Sequence, residues 1–318
     1  MKSNLDIAKS LFEQNNYQEA IDSCSKILAT DCNSVDTLKL IGKSFLALGK
    51  IEDARTYFNK VLNLKTNDFE VIKDLGNTYQ AKGDINTAKS YYQKAISINS
   101  NYAPALSNLG SIELNLGNKQ EALSLLIKAT ESDPKLASAW GNLTNVYFQL
   151  GKIEEAELSI RISIKLNPNL FNAHFLLANI LIEQKKIKEA ELSIRKSIEL
   201  KDNLFQSHFL LANILIEQKK FPEAESPLRK TIELNPDLAQ AHLNLGGILK
   251  ELNQIKEAEL STRKAIELNP DSAEAHNNLG NIFRYLGKLQ DAEICQRKAI
   301  KLKPEFSEAH NNLGLILK

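Results

Sequence analysis

The chain repeats itself every 34 residues. Blocks of this length begin, without a gap or an insertion, at Met1, Val35, Phe69, Ala103, Ala137, Phe171, Phe205, Ala239 and Ala273. Residues 307–318 begin a tenth block. Self-similarity at a fixed period of about 20–50 residues is typical of solenoids, in which each unit packs only on its neighbours. The chain is therefore predicted to be a single array over residues 1–318, with complete repeats 1–34, 35–68, 69–102, 103–136, 137–170, 171–204, 205–238, 239–272 and 273–306.

Small residues and turn residues recur at fixed positions in these blocks. Position 20 of every complete block is alanine, and position 8 is glycine, alanine or threonine. Positions 4, 7, 8 and 11 fall on one stripe of a helix, and we expect this stripe to be buried. Glycine at position 15 and proline at position 32, each present in five blocks, are typical of helix ends. Each block is therefore predicted to be a helix A at about positions 2–14, a tight turn and a helix B at about positions 18–31.

The block AEAHNNLGNIFRYLGKLQDAEICQRKAIKLKPEF, residues 273–306, resembles the tetratricopeptide repeat, and the resemblance extends over the whole chain. It implies an all-α fold, a right-handed superhelical solenoid of stacked antiparallel helix pairs, in which helix A of each repeat lines a concave groove. It also implies a protein–protein interaction scaffold, not an enzyme, that binds an extended peptide or a partner helix in this groove.

Asparagines are concentrated on the face of helix A that this family turns toward the groove. Position 6 carries Asn108, Asn142, Asn244, Asn278 and Asn312, and position 9 carries Asn77, Asn145, Asn179, Asn213 and Asn281. A side-chain amide donates and accepts hydrogen bonds, so it can pair with the backbone of an extended peptide. The position 6 column resembles the asparagine ladder of the tetratricopeptide domain of O-linked N-acetylglucosamine transferases, which holds substrate peptides. Asp6, Leu40, Asp74, Leu176 and Leu210 interrupt this column, and the alternative is that asparagine is only a soluble surface residue.

Blocks five to seven add an apolar stretch beside these amides. Phe175 and Phe209 stand at position 5, Leu176 and Leu210 at position 6, and Ile182 and Ile216 at position 12. These side chains are predicted either to line the groove as an anchor site for a partner or to pack on neighbouring helices.

Part of a carboxylate clamp is also present. Lys73, Asn77 and Asn108 resemble three of the five residues with which chaperone-tail-binding tetratricopeptide proteins hold a C-terminal carboxylate. Ser138 and Asn142 stand where that clamp has its other cations, so a carboxylate would lack charge-assisted partners there. Lys73 is therefore predicted to be an ordinary solvated lysine.

Composition argues against other classes of function. The net charge of +1 does not favour a nucleic-acid partner, and no apolar run is long enough for a membrane partner. All five histidines stand at position 4, and helices spaced about 8–10 Å apart cannot gather them around one metal ion. The three cysteines have neither zinc-site nor disulfide spacing. We therefore expect a cytoplasmic protein with no catalytic residues, no cofactor and no metal.

Four departures from the repeat are informative. Polar Asn4 is typical of a terminal repeat, Lys185 and Lys219 replace the turn glycine, and Pro227 should bend its helix B or shift its start. In the tenth block, Leu313, Gly314 and Leu317 are predicted to expose an apolar face.

The unfinished tenth block favours a fragment of a longer protein; end-to-end pairing of two copies, or fraying of the last helix, are the alternatives. A fragment could be the substrate-presenting region of a larger, glycosyltransferase-like transferase. A structural spacer or self-assembling solenoid is the third functional hypothesis. Partner identity, oligomeric state and superhelix pitch are not determined by the sequence.

Overall fold

The computed structural model describes residues 3–318, and within that range the chain forms helices and no strands. The helices fall into two compact units, Met1–Pro168 and Asn169–Lys318. The first unit contains α1 (Asn4–Glu13), α2 (Tyr17–Leu28), α3 (Val35–Ala47), α4 (Ile51–Leu64), α5 (Phe69–Ala81), α6 (Ile85–Ile98), α7 (Ala103–Asn115), α8 (Lys119–Ser132), α9 (Ala137–Gln149) and α10 (Ile153–Leu166). The second contains α11 (Phe171–Glu183), α12 (Ile187–Leu200), α13 (Phe205–Glu217), α14 (Phe221–Leu234), α15 (Ala239–Glu251), α16 (Ile255–Leu268), α17 (Ala273–Tyr285), α18 (Leu289–Leu302) and α19 (Ser307–Ile316).

Each odd-numbered helix is a helix A, and those from α1 to α17 pack on the even-numbered helix B that follows them. From α3 onward helix A begins at position 1 and helix B at position 17, one residue earlier than predicted. In two of these A helices, α5 and α17, the side chain of the residue before position 1 caps the helix. Asp68 and Ser272 accept hydrogen bonds from the backbone N–H groups of Val71 and Ala275. The prediction of a single array over residues 1–318 stays a prediction.

The turn after helix A has the predicted left-handed residue at position 15. Gly83 and Gly151 have φ values of 80° and 73°. Lys185 and Lys219 keep this conformation at 60° and 59°, although a side chain disfavours it.

The two helices of a hairpin approach closely at positions 8 and 24, as predicted from the small residues. A Cβ atom added to Gly76 would lie 2.6 Å from the ring of Tyr92. A Cβ atom added to Gly110 would lie 2.7 Å from Leu126. The alanines at position 20 are fully buried in all nine repeats.

The buried stripe of helix A is broader than predicted. Positions 3, 7, 8 and 10 are buried in every helix A from α3 to α17, whereas positions 4 and 11 are only half-buried in several of them. In α13, for example, position 3 is buried because it faces helix B of the preceding repeat; the Ser207 hydroxyl lies 3.3 Å from that of Ser197. Most side chains at positions 6 and 9 are half-buried, because consecutive A helices such as α7 and α9 contact each other. The prediction that these positions face a groove stays a prediction.

Pro227 and Asn4 are two further departures from the repeat pattern. Helix α14 begins at Phe221, the usual position, and continues through Pro227. Of the two predicted alternatives, the shift of the helix start is therefore excluded, and a bend at Pro227 stays a prediction. Glu223, whose carbonyl loses its helical partner to the proline, is exposed to water. Asn4 is exposed at the start of α1.

The last helix, α19, ends at Ile316, which is buried, whereas Leu315 and Leu317 are exposed. Self-association through this end stays a prediction. None of the helices in the described part of the chain combines the length and apolar character needed to cross a membrane.

Candidate functional site

Most asparagines at position 6 bind the preceding helix A. In the first unit, Asn108 Nδ2 donates to Asn77 Oδ1 at 2.8 Å, and Asn142 Nδ2 donates to Ser107 Oγ at 3.0 Å. These bonds between repeats were not predicted from the sequence. A signal was present, because Asn77 and Asn108 stand at positions 9 and 6 of successive blocks, 31 residues apart.

The second unit shows the same arrangement. Asn244 Nδ2 donates to Asn213 Oδ1 at 2.9 Å, and Asn312 Nδ2 donates to Asn277 Oδ1 at 2.9 Å. These amides therefore use a donor inside the protein and tie neighbouring A helices together.

The asparagines at position 9 form mainly local hydrogen bonds. Asn145 and Asn179 donate to carbonyl oxygens four residues earlier in their own helices. Asn281 accepts a long hydrogen bond from Gln296 Nε2 at 3.5 Å, and Asn77 accepts one from the Tyr92 hydroxyl at 2.8 Å.

Asn278 differs from the other asparagines at position 6. Among the described residues its half-buried amide has no hydrogen-bond partner. The preceding helix A carries Leu243 at position 5 and Gly247 at position 9, and neither side chain offers an acceptor. A Cβ atom added to Gly247 would lie 3.8 Å from Asn278 Nδ2, so the glycine leaves the amide open.

Asn278 lies in the wall of a cavity of about 480 Å³ on the A-helix side of the second unit. Its lining combines apolar, amide and charged side chains: Ile216, Phe221, Leu243, Ile248 and Phe306; Gln240, Asn244, Asn277 and Asn278; and Lys250, Glu251, Glu274 and Glu308, with Gly247 among them. We call this cavity, with the residues that line it, the unit 2 cavity.

The charged part of the unit 2 cavity is acidic. Glu251 and Glu274 form ion pairs with Lys250 at 2.9 Å and Lys303 at 3.1 Å. The third carboxylate, Glu308, accepts a hydrogen bond from Asn277 Nδ2 at 2.9 Å. The pKa of Glu274 is lowered by its own backbone N–H and then by Lys303, so this carboxylate is ionised at neutral pH.

The apolar residues of blocks six and seven are partly exposed, and one of them, Ile216, lines the unit 2 cavity. Phe175, Leu176, Ile182, Phe209, Leu210 and Ile216 are all half-buried. Each side chain therefore packs partly on the protein and also presents apolar surface, and Ile216 forms part of the unit 2 cavity.

The carboxylate clamp lacks a free cation in the first unit. Lys73 Nζ lies 2.5 Å from Asp74 Oδ1, and Asp74 is buried at position 6. The prediction of a solvated lysine is wrong, because Lys73 is half-buried and paired. Asp74 also brings a negative charge next to Lys73. A ligand carboxylate would therefore find no free cation at Lys73 and would also be repelled by Asp74.

The position 4 rings bind the preceding loop. Nε2 of His242, His276 and His310 lies 2.9, 3.0 and 2.8 Å from the carbonyl oxygen of the proline six residues earlier, and Trp140 Nε1 donates in the same way. No group of His, Cys, Asp and Glu within residues 3–318 could hold a metal ion. Burial raises the pKa of the Cys24 and Cys295 thiols to about 11, which keeps them protonated and unreactive at neutral pH.

Comparison with protein families gives consistent matches. The family model described as the Cilia and flagella-associated protein 70 C-terminal domain matches residues 3–244, about three quarters of the chain. Tetratricopeptide repeat models match residues 246–287 and 273–306. A search of curated protein sequences found no match.

Comparison with solved structures confirms the all-α tetratricopeptide fold. YrrB, a TPR protein with an unusual peptide-binding site, aligns with a TM-score of 0.55 and 22% identity over 58% of this chain and 96% of its own. Pseudomonas aeruginosa pilF aligns with a TM-score of 0.60 and 20% identity over 68% and 97%. The APC/C hetero-tetramer Cut9–Hcn1 aligns with a TM-score of 0.60 and 16% identity over 95% of this chain, which spans 59% of the matched one. At these identities the likeness concerns the fold alone.

Proposed function

We propose a peptide-binding function for this chain, which belongs to the tetratricopeptide family described as the Cilia and flagella-associated protein 70 C-terminal domain. Tetratricopeptide proteins are typically scaffolds for protein–protein interactions and are generally not catalysts. The proposed ligand is an extended segment of a partner protein, and the proposed site is the A-helix side of the second unit. YrrB has the same fold and a peptide-binding site, so the fold is compatible with this function.

The observation that carries the proposal is the composition of the unit 2 cavity. Ligand pockets combine mostly apolar walls with a few polar groups that orient the ligand, and their volumes are about 300–1,000 Å³. The unit 2 cavity has this composition and a volume of about 480 Å³. Its amides suit the backbone of a peptide, and its apolar residues suit a side chain.

The hydrogen bonds between A helices support this proposal in another way. The pairs Asn244–Asn213 and Asn312–Asn277 hold successive A helices at a fixed spacing. A surface that is already ordered loses less conformational entropy when a ligand binds. The remaining asparagines of the two columns in the second unit are proposed as secondary contacts along the same peptide, and a groove role for those of the first unit stays a prediction for that unit by itself.

A binding experiment with two variants of one hairpin tests the proposal. Immobilised random peptides would be screened against the full chain and against the variants Gln240→Trp and Leu260→Trp. Gln240 is exposed on α15 beside the unit 2 cavity, whereas Leu260 is 68% exposed on α16 of the same hairpin. We expect Gln240→Trp to weaken binding by about tenfold or more and Leu260→Trp to leave it unchanged.

Hydrogen exchange of the complex supplies the second readout, with protection expected in α13, α15 and α17. Equal binding by both variants, or protection confined to the B helices, would exclude this site. A structural spacer would retain no peptide at all. A substrate-presenting role would use the same surface, and no residue in the described part of the chain favours it over simple binding.

A further inference from the structure

Among the described residues, the one unpartnered amide of the position 6 column faces a helix A that offers it no side-chain acceptor. In the second unit, position 9 is asparagine in α11, α13 and α17, but in α15 it is Gly247. Asn213 in α13 accepts the amide of Asn244, whereas Gly247 has no side chain to accept the amide of Asn278. Position 5, the other acceptor position, holds Leu243 in α15. The missing side chain of Gly247 also leaves the space in front of Asn278.

A free, half-buried primary amide matches one peptide unit. Its Nδ2 donates and its Oδ1 accepts, so it can bind both the carbonyl and the N–H group that an extended backbone presents on one side. Partial burial strengthens such bonds because less water competes for the same groups. Asn244 and Asn277, by contrast, already use both ends of their amides.

The residues around Asn278 determine which ligand side chain can lie beside the bound peptide unit. Ile216, Phe221, Leu243 and Phe306 present apolar surface to the unit 2 cavity. Burying an aliphatic or aromatic side chain against them removes apolar area from water on both partners, which is favourable. A polar side chain would leave its hydrogen bonds unmet there.

The charged residues of the unit 2 cavity determine which residues are favoured on either side of the ligand's apolar residue. Three glutamates and one lysine line it, and Lys303 pairs with Glu274 from outside the lining. Glu308 has an amide donor but no cation among the described residues. A lysine or arginine on the ligand would therefore find an unmatched carboxylate, and an acidic ligand would be repelled.

We propose that the unit 2 cavity binds an extended peptide through one large apolar residue flanked by lysine or arginine, with Asn278 hydrogen-bonded to the peptide backbone. This inference rests on the peptide-binding function proposed above and specifies the ligand class. It assigns a specific role to Gly247, which keeps the site open and its amide free.

Fluorescence anisotropy with a labelled peptide tests the proposal. The probe is a peptide of about nine residues with a central leucine, a lysine two positions to each side, and serine and glycine elsewhere. Two control peptides replace the leucine with serine or both lysines with glutamate. We expect the full chain to bind the probe, and to bind each control about tenfold or more weakly. Binding of the probe should also weaken with added salt.

The matched protein variants are Gly247→Asn and Gly314→Asn. The first restores the position 9 asparagine that other repeats carry, so Asn278 gains an internal partner and the cavity closes. The second makes the same change in helix α19, where an added Cβ meets nothing within 4 Å. We expect Gly247→Asn to keep the wild-type circular dichroism spectrum and lose about tenfold or more in probe affinity. Gly314→Asn should bind like the wild type.

The outcomes separate this inference from the proposed function. Equal affinity of Gly247→Asn and wild type for the probe would overturn the role of Asn278. Equal affinity for the probe and either control peptide would overturn the ligand class. If the full chain instead binds other screened peptides with protection of the A helices, the proposed function survives and this inference alone fails. If no peptide is bound on the A-helix side, both fail.

Discussion

The glycines at position 8 lie against the side chains at position 24, and this contact decides how closely the two helices of a hairpin pack. Gly76 faces Tyr92, whose hydroxyl continues past the glycine to donate to Asn77 and Gln80. The absence of a side chain at Gly76 therefore lets the two helices pack closely. It also lets the Tyr92 side chain of helix B reach polar groups on helix A. Gly314 stands at the same position of the tenth block, but an added Cβ meets nothing there.

The variant Gly76→Ala should be less stable than Gly314→Ala. Both changes gain helix propensity, up to about 1 kcal/mol. Only the first forces a methyl group to within 2.6 Å of a fully buried ring, and overpacking costs about 1–3 kcal/mol. Hydrogen exchange of α5 and α6, and of α17 to α19, measures the local opening free energies. If Gly76→Ala instead stabilised its helices as much as Gly314→Ala stabilises α19, the prediction would be wrong, and Tyr92 would have to move aside at no cost.

A buried carboxylate in the first unit makes stability depend on pH. Glu113 is fully buried; burial raises its pKa, but hydrogen bonds from Lys89 and Asn118 outweigh that effect and lower it. The Lys89 Nζ and Asn118 Nδ2 atoms lie 2.5 and 2.7 Å from its oxygens. A folded-state pKa below the unfolded value of about 4.3 stabilises the protein above that pH, and the contribution is lost as pH falls through the folded pKa.

The variant Glu113→Gln should therefore melt at a lower temperature than the wild type at pH 7, with the difference shrinking below about pH 4. The matched control is Glu131→Gln, because Glu131 is exposed on the neighbouring helix α8. Thermal melts between neutral and acidic pH measure both. A difference for Glu113→Gln that stays constant over the whole range would contradict the assignment.

At the scale of the element, each hairpin depends on the left-handed residue that ends helix A. Lys185 and Lys219 hold this conformation despite their side chains, and their repeats keep the same helix boundaries as the glycine-containing ones. Packing of the two helices therefore outweighs the local cost. The same competition explains α14, which continues through Pro227 because its buried residues Ala224, Leu228 and Thr231 anchor it.

The variant Lys219→Gly should stabilise its hairpin by about 1 kcal/mol, and Gly83→Ala should destabilise its own by a similar amount. An added Cβ on Gly83 meets nothing within 4 Å, so the backbone conformation alone causes that loss. Apparent midpoints of urea denaturation, read by circular dichroism, measure both changes. No shift in either variant would mean that the turn relaxes out of the left-handed region without cost.

At the scale of the whole molecule, each hairpin contacts chiefly its neighbouring hairpins within its own unit. Stability in such stacks is approximately a sum of repeat and neighbour terms, so a local change weakens its surroundings and fades with distance. The hydrogen bonds between A helices, such as Asn108 to Asn77, add to these neighbour terms.

Hydrogen exchange in the variant Gly76→Ala should therefore speed up most in α5 and α6, less in α3, α4, α7 and α8, and very little in α15 to α18. The variant Gly314→Ala provides the comparison, because its effect should stay near α19. Uniform acceleration throughout the chain would instead indicate that all of it unfolds as one cooperative unit.

The sequence by itself determined the repeat length, the hairpin and the turn, because these depend on residues close together in the chain. Alanine at position 20, glycine at position 15 and the small residue at position 8 each act within one repeat. The family could be recognised from the same columns, and helix boundaries were missed by only one residue.

Only the tertiary structure decided what the asparagines at position 6 do, because that depends on the facing residue of the preceding helix A. Asn108 and Asn244 find acceptors 31 residues earlier, and Asn278 does not, because Gly247 stands there. The one-dimensional pattern treats these three asparagines as equivalent. Contact between neighbouring repeats makes two of them structural, and it leaves the third open toward the unit 2 cavity.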